Sequence, residues 1–260
     1  GPMLRTVIHR VAPFLGIALF GLAVWALYLQ LKSNSIDDIL GAFTRLPPQR
    51  IALAVLFTVL GYATLTGYDY LALKYVQHTI SYRRIAMAAF IGYSFSNSIG
   101  HSFLTGGGVR YRLYTLWGLS AIEVVKVVVF AHVTFYLGML VLIGAGCIFE
   151  PRSISAEIHL PVDIVRGIGI GLLGIVLIYL VWTATRKAPI RIRQTEFAIP
   201  SLGLSFLQLI VASLDMAMVA AVLWVLLPAH PENANDHVIS FVGFLGLFMV
   251  AQVIGFGSQV

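Results

Sequence analysis

Seven long stretches without a charged side chain dominate the sequence. They run over residues 11–31, 51–68, 85–109, 127–149, 167–185, 197–227 and 237–260, and Asp215 alone interrupts the sixth. Each is close to the length of about 20 residues that a helix needs to cross the hydrocarbon core of a bilayer. A mean hydropathy of +0.90 and a charged fraction of 11% lie far from the values of soluble domains. The sequence therefore predicts an all-α, polytopic integral membrane protein.

The rest of the composition excludes several other classes. Gly1 and Pro2 before Met3 are interpreted as the remnant of a cleaved tag, so we expect residues 3–260 to form one membrane domain. Cys147 is the single cysteine, which excludes a disulfide framework. No pair of histidines has the spacing of metal ligands, and we expect neither a metal nor a cofactor. The net charge of +6 is assigned to loop residues that orient the chain in the membrane.

The third stretch differs from the others because its second half is polar and rich in glycine. Three consecutive glycines each cost a helix about 1 kcal/mol relative to alanine. We therefore expect a helix over 85–104, irregular backbone over 105–108 and a short returning helix over 109–117. Irregular backbone survives at membrane depth only where protein or a water-filled cavity satisfies its amides. The candidate residues of such a cavity are Asn97, His101, Ser102, Thr105, Gly106, Gly107, Gly108 and Arg110.

The loop charges favour a broken or re-entrant segment over 94–117. If 85–109 crossed the bilayer and the amino terminus were cytoplasmic, seven basic residues would lie inside and ten outside, against the positive-inside rule. If the segment returned to the same face, twelve would lie inside and five outside. The pattern Ser120 to Glu123 is typical of a capping box, so the next helix is predicted to begin near residue 120.

Two acidic residues and one arginine are the strongest candidates for chemistry. A charge at the centre of a membrane helix costs about 2.5–3.5 kcal/mol, so Asp69 and Asp215 are functional candidates. The alternative is a structural ion pair, which is evenly balanced for Asp69 because Lys74 is close in sequence. Arg110 suits either a carboxylate partner or a phosphate, since its planar fork holds two oxygens at once.

Three weaker patterns complete the list. The end of the chain, 255–260, can be aligned with 99–104, which adds Ser258 and Gln259 as candidates. This weak repeat predicts one half of an inverted-repeat-like domain. It also suggests that the sequence is truncated inside this second segment. Tyr111, Tyr114 and Trp117 are predicted to form an interfacial aromatic belt. Gly167 and Gly171 are predicted to let two helices approach closely.

These residues resemble the amino-terminal membrane region of the multiple peptide resistance factor family, whose members are bacterial lysyl-phosphatidylglycerol synthases fused to a lipid flippase. The resemblance rests on Tyr68-Asp69, the glycines followed by Val109-Arg110, the acidic Asp215 and the terminal Gly-Phe-Gly-Ser-Gln-Val. It places the family's flippase positions on Asp69, Arg110 and Asp215. Asp215 stands where relatives can have Glu, and the Pro-Gly-Gly that continues the last motif is not in this sequence.

The resemblance implies a domain that moves aminoacylated phosphatidylglycerol from the inner to the outer leaflet of the bacterial cytoplasmic membrane. The amides of residues 106–108 and Arg110 would hold the phosphate, and Asp69 or Asp215 the cationic aminoacyl part. The complete protein would be a phosphatidylglycerol lysyltransferase that confers resistance to cationic antimicrobial peptides, using aminoacyl-tRNA through a carboxy-terminal domain. This chain would not itself be catalytic, and its oligomeric state stays open. The alternatives are a membrane scaffold that feeds lipid to a cytosolic synthase, or a small-solute transporter of similar architecture.

Overall fold

The computed structural model describes residues 41, 46–99, 102–186, 188–192, 195–227 and 240–257. The chain divides into two compact units, Gly1–Ile51 and Ala52–Val260. The described part of the first unit is Gly41 and residues 46–51, and all other described residues belong to the second.

Helices account for nearly all of the described chain. In order, the elements are α1 (Pro48–Tyr75), α2 (Tyr82–Ile99), α3 (Ser102–Leu116), α4 (Ala121–Phe149), α5 (Pro151–Ile158), α6 (Val162–Thr185), β1 (Ile190–Ile192), β2 (Thr195–Phe197), α7 (Leu202–Leu226) and α8 (Phe241–Gly257). Among the described residues, α1, α4, α6 and α7 are long and apolar enough to cross a membrane, and α8 contains a shorter apolar helix. The predicted all-α, polytopic membrane fold is confirmed. The predicted span at 11–31 lies outside the described residues.

The third apolar stretch forms a helical hairpin instead of a span. Helix α2 ends at Ile99 and α3 begins at Ser102, and the two helices pack against each other. The start of α2 lies near the end of α3, as the guanidinium of Arg84 is 5.8 Å from the ring of Trp117. Gly118, with φ of +97°, adopts the left-handed backbone that closes the turn before α4. The chain thus returns to the side from which α2 starts, as the charge count predicts.

The expectation of irregular backbone at 105–108 is wrong. Gly106, Gly107 and Gly108 lie inside α3, which is helical from Ser102 to Leu116. The helix propensity of glycine was measured in water, whereas an unsatisfied amide in a membrane costs several kcal/mol. That cost exceeds the penalty of about 1 kcal/mol per glycine, so helical hydrogen bonding prevails.

The predicted start of α4 is confirmed in atomic detail. The backbone N–H of Ser120 donates to Glu123 Oε2 at 2.7 Å, and the N–H of Glu123 donates to Ser120 Oγ at 3.4 Å. These reciprocal bonds are a capping box, which satisfies amides that the first helical turn leaves free.

Helix α4 packs against α6, α7 and α8 through glycines along its length. A Cβ on Gly138 would lie 2.9 Å from the backbone carbon of Ala212 in α7, and one on Gly146 would lie 2.9 Å from Gly246 Cα in α8. The predicted close approach at Gly167 and Gly171 is wrong, since a Cβ at either would meet nothing within 4 Å. The close contact of α6 is made instead by Gly169, between those two positions, against Cys147 and the carbonyl of Gly144.

A buried polar network joins three of the long helices. Gln208 of α7 donates from Nε2 to Thr134 Oγ1 of α4 at 2.7 Å, and it accepts from the hydroxyl of Tyr179 of α6 at 2.6 Å. Gln208 and Thr134 are fully buried. Interhelical bonds of this kind are worth about 0.6–2 kcal/mol in membranes, so the network stabilises the packing of α4, α6 and α7.

The connection between α6 and α7 is a small antiparallel hairpin that the sequence did not reveal. Strands β1 and β2 pair Ile190 with Phe197 and Ile192 with Thr195, and Arg191 faces Glu196. The Arg191 guanidinium donates to Glu196 Oε1 at 2.6 Å. The paired segment includes Phe197, which sequence analysis assigned to the following apolar stretch.

Candidate functional site

Two adjacent residues near the end of α1 anchor the candidate site. Successive residues of a helix point about 100° apart, so Tyr68 and Asp69 face different neighbours. Asp69 faces α3 of the hairpin, whereas Tyr68 faces α7. Both side chains are buried, Asp69 completely.

Asp69 is held by two donors from α3. Arg110 donates from Nε to both carboxylate oxygens, at 3.0 and 3.1 Å. The hydroxyl of Tyr114 donates to Asp69 Oδ2 at 2.8 Å. Residues four apart lie on one face of a helix, which lets Arg110 and Tyr114 reach the same carboxylate. The negative charge of Asp69 is therefore met by one cation and one hydroxyl.

The guanidinium of Arg110 lies in a groove of α2. Its Cζ is 4.2 Å from the centroid of the Tyr93 ring, a cation–π contact. A Cβ on Gly92 would lie 3.4 Å from both Cζ and Nη1, so the guanidinium passes directly over a position without a side chain. Arg110 is 5% exposed, and its Nη2 is buried without a hydrogen-bond partner among the described residues. A buried donor without a partner normally costs about 1–3 kcal/mol, a cost that an external acceptor at this nitrogen would remove.

Asp215, in the middle of α7, has a different environment. Its Oδ2 accepts a hydrogen bond from the Tyr68 hydroxyl at 3.1 Å. The residue is 6% exposed, and none of the ion pairs among the described residues includes it. The Tyr68 ring makes an edge contact with Tyr93, with centroids 6.3 Å apart, which connects this carboxylate to the ring under Arg110.

We call these six residues the buried cluster: Tyr68, Asp69, Tyr93, Arg110, Tyr114 and Asp215. It brings one cation and two acidic groups into a water-poor region contributed by α1, α2, α3 and α7. With both acidic groups ionised, its formal charge is −1. The arrangement can accept an anionic oxygen at Arg110 Nη2 and a cation at Asp215.

An apolar groove begins one helical turn beyond Asp215. Its volume is about 270 Å³, and its walls come from α1, α7 and α8. The lining residues are Phe57, Ala217, Met218, Ala221, Trp224, Val225 and Phe241. All of the exposed surface in this groove is apolar, so it suits a hydrocarbon chain.

Three members of the cluster were predicted from the sequence as site residues, whereas its tyrosines were not. The structure brings Asp69, Arg110 and Asp215 into it. Tyr114 was expected in an interfacial belt, but it is fully buried, because it shares the face of α3 that carries Arg110. Its spacing of four residues from Arg110 was the available signal. Tyr93 had no signal of its own.

The remaining candidates are not part of the described cluster. The amides of residues 106–108 are helical, so they do not form the predicted anion site. The side chains of Asn97, Ser102 and Thr105, and the whole of His101, Ser258 and Gln259, lie outside the described part of the structure.

Comparison with known proteins gives two relatives. No family model matches the sequence. The chain is 32% identical over 254 residues to the uncharacterized protein slr0712 of Synechocystis sp., a match that covers 97% of this chain and 77% of that protein. It is 29% identical over 211 residues to the inner membrane protein YbhN of Escherichia coli, which covers 79% of this chain and 63% of that protein.

Proposed function

This chain belongs to the same family of membrane proteins as the Synechocystis relative, and we propose that it moves aminoacylated phosphatidylglycerol between the leaflets of a bacterial cytoplasmic membrane. The lipid is of the lysyl type, and it moves from the inner to the outer leaflet. The amino terminus is cytoplasmic, in agreement with the charge count of the loops.

The buried cluster is the observation that carries this proposal. The head group of lysyl-phosphatidylglycerol contains a phosphate and ammonium groups. Arg110 offers a buried nitrogen without a partner, and Asp215 offers a carboxylate that no described cation neutralises. A guanidinium binds phosphate oxygens well, and a carboxylate binds ammonium. In place of the helical glycine amides, Arg110 holds the phosphate, while Asp215 holds the lysyl part.

The position of the apolar groove supports a lipid over a soluble solute. Met218, three residues after Asp215, contributes to the groove wall. One lipid molecule could therefore place its head group at Asp215 and one of its acyl chains in the groove. A hydrophilic cation or amino acid would leave that groove unused. The groove therefore favours an amphiphile over the small-solute alternative.

In the complete protein, this region serves a phosphatidylglycerol lysyltransferase of the multiple peptide resistance factor type. The synthase part uses aminoacyl-tRNA, and exposure of the product on the outer leaflet lowers the negative surface charge. Cationic antimicrobial peptides then bind the cell less strongly, since their attraction to anionic lipids is electrostatic.

Leaflet-specific amine labelling of cells that make lysyl-phosphatidylglycerol tests this function. We expect Arg110→Ala and Asp215→Asn to lower the outer-leaflet fraction at least tenfold without changing total lipid synthesis. Arg112→Ala and Asp163→Asn are matched controls, because both wild-type residues are exposed and lie outside the cluster. A wild-type outer-leaflet signal in both cluster variants, at equal protein level, would refute the assignment.

A deletion separates this function from the scaffold alternative. The membrane region is removed, and the synthase part is kept at the membrane by an unrelated anchor. We expect lysyl-phosphatidylglycerol to accumulate in the inner leaflet of these cells. Full exposure on the outer leaflet would instead favour a scaffold.

A further inference from the structure

We propose that Asp215 exchanges a proton for the cationic head group, so that lipid translocation is coupled to proton movement in the opposite direction. This inference rests on the proposed function and adds its driving force. It starts from a difference between the two buried carboxylates of the cluster, Asp69 and Asp215.

The two carboxylates differ in how their charge is met. Asp69 accepts from a guanidinium at 3.0 Å and from a tyrosine hydroxyl at 2.8 Å, so its carboxylate is paired with a cation. Asp215 is almost as deeply buried, but its single described donor is the Tyr68 hydroxyl at 3.1 Å. An uncompensated charge in a water-poor interior is costly, and such groups take up a proton or a counter-ion. Asp215 is thus the group in the cluster that needs an exchangeable cation.

Among the described residues, no ion pair supplies Asp215 with another cation that could take this role. On α1 it faces Tyr68, whose ring contacts Tyr93 of α2. On α3, the Arg110 guanidinium lies over the Tyr93 ring and bonds to Asp69.

On the side of α4 and α8, the helix face next to Asp215 packs against apolar side chains. Met216, the residue after Asp215, is buried against Met139 of α4 and Met249 of α8. Among the titratable side chains of α4, His132 pairs its Nδ1 with the carbonyl of Val128 in its own helix, at 2.7 Å. From α6, Tyr179 bonds to Gln208, seven residues before Asp215.

The exchange is balanced as follows. When Asp215 is accessible from the cytoplasm, the O–H bond of its carboxylic acid breaks and the proton goes to water. The carboxylate then binds an ammonium of the lipid head group. When Asp215 is accessible from the outside, a proton from water forms the O–H bond again, and the head group leaves. One proton enters the cell for each lipid that moves outward, so an inward proton gradient drives export.

Infrared difference spectroscopy on the purified full chain in nanodiscs tests the exchange itself. In phosphatidylglycerol nanodiscs, we expect the carbonyl stretch of a protonated carboxyl group in the wild type, and its loss on adding lysyl-phosphatidylglycerol. The band should persist in Asp163→Asn and be absent in Asp215→Asn. A spectrum without a band that depends on Asp215, or a band that lysyl-phosphatidylglycerol leaves unchanged, overturns the proposal.

Transport in liposomes tests the coupling. With the membrane potential held at zero by potassium and valinomycin, one-for-one exchange shifts the distribution of lysyl-phosphatidylglycerol between leaflets about tenfold per pH unit of gradient. Asp215→Glu should keep this dependence, since it keeps the carboxyl group, and Asp215→Asn should lose it. Lipid that equilibrates without regard to the pH gradient overturns the coupling while the proposed function stands. Lipid that does not move at all in the wild type overturns the proposed function, and the coupling with it.

Discussion

Arg110 shows how much a single buried side chain depends on its surroundings. Its charge is met by Asp69, its face is covered by Tyr93, and its path is open because position 92 has no side chain. Taking a guanidinium out of water costs several kcal/mol, and these contacts offset part of that cost. One buried nitrogen, Nη2, has no hydrogen-bond partner among the described residues.

The Asp69–Arg110 pair should show strong coupling in a double-mutant cycle. Asp69→Leu or Arg110→Met alone leaves a buried charge without its partner, and we expect each to lower the free energy of unfolding by about 3–5 kcal/mol. The double variant should lose clearly less than the sum, because no charge remains. Reversible unfolding in mixed micelles measures all four proteins. Simple additivity of the two losses would contradict the buried pair.

Gly92 should set the position of the Arg110 guanidinium. Alanine there would bring a methyl group 3.4 Å from Cζ and Nη1, which is ordinary contact, whereas leucine would occupy the space of the guanidinium. We therefore expect Gly92→Ala to keep most of the outer-leaflet fraction of lysyl-phosphatidylglycerol. Gly92→Leu should lower that fraction as much as Arg110→Ala does. Gly167→Leu is the control, since a Cβ there meets nothing within 4 Å. Equal activity of the two Gly92 variants would contradict this geometry.

At this scale, the sequence allows the charged residues to be predicted, but not their aromatic support. A membrane arginine needs an anionic partner, so Asp69 and Asp215 were the natural candidates for Arg110. Which of them it pairs with depends on the packing of α3 against α1. Gly92 and Tyr93 matter only because α2 lies antiparallel to α3, a contact that no local pattern encodes.

Among the elements, the hairpin of α2 and α3 was predictable in shape and not in detail. Its return follows from the distribution of basic residues, and the start of α4 follows from the capping box. The glycine prediction failed because a propensity measured in water was applied where backbone groups have no water to bond. The β1–β2 pair gave no periodic signal because each strand is three residues long, and the eight-residue helix α5 was not predicted.

Helix α4 should be sensitive to any added volume at its contact with α7. Gly138→Ala would place a methyl group 2.9 Å from the backbone carbon of Ala212, so the two helices must separate. Overpacking of this kind costs about 1–3 kcal/mol. Gly171→Ala is the matched control, because nothing lies within 4 Å of its added methyl group. Unfolding in mixed micelles should show a loss for the first variant only, and equal stabilities would contradict the packing.

For the molecule as a whole, the long apolar stretches predict the described helices well. The stretches at 51–68, 127–149 and 167–185 lie inside α1, α4 and α6, and the helices extend beyond them at one or both ends. The extensions contain charged residues, such as Asp69 in α1, which a definition by uncharged stretches excludes. The order in which helices touch was not predictable, since it depends on small residues such as Gly138 and Gly146 and on the Gln208 network.

The position of Asp215 along α7 has an electrical consequence. Asp215 is thirteen residues after Leu202 and eleven before Leu226, so about half of the membrane voltage falls on either side of it. A full crossing by one elementary charge involves about 2.3 kcal/mol per 100 mV, and arrival at Asp215 about half of that. The outside pH for half-maximal exchange should then move by a little under one unit per 100 mV of imposed potassium diffusion potential. An interior-negative potential draws the proton inward, so the outside pH for half-maximal exchange rises as the potential grows more negative. If this pH did not change with voltage, Asp215 would lie outside the membrane electric field.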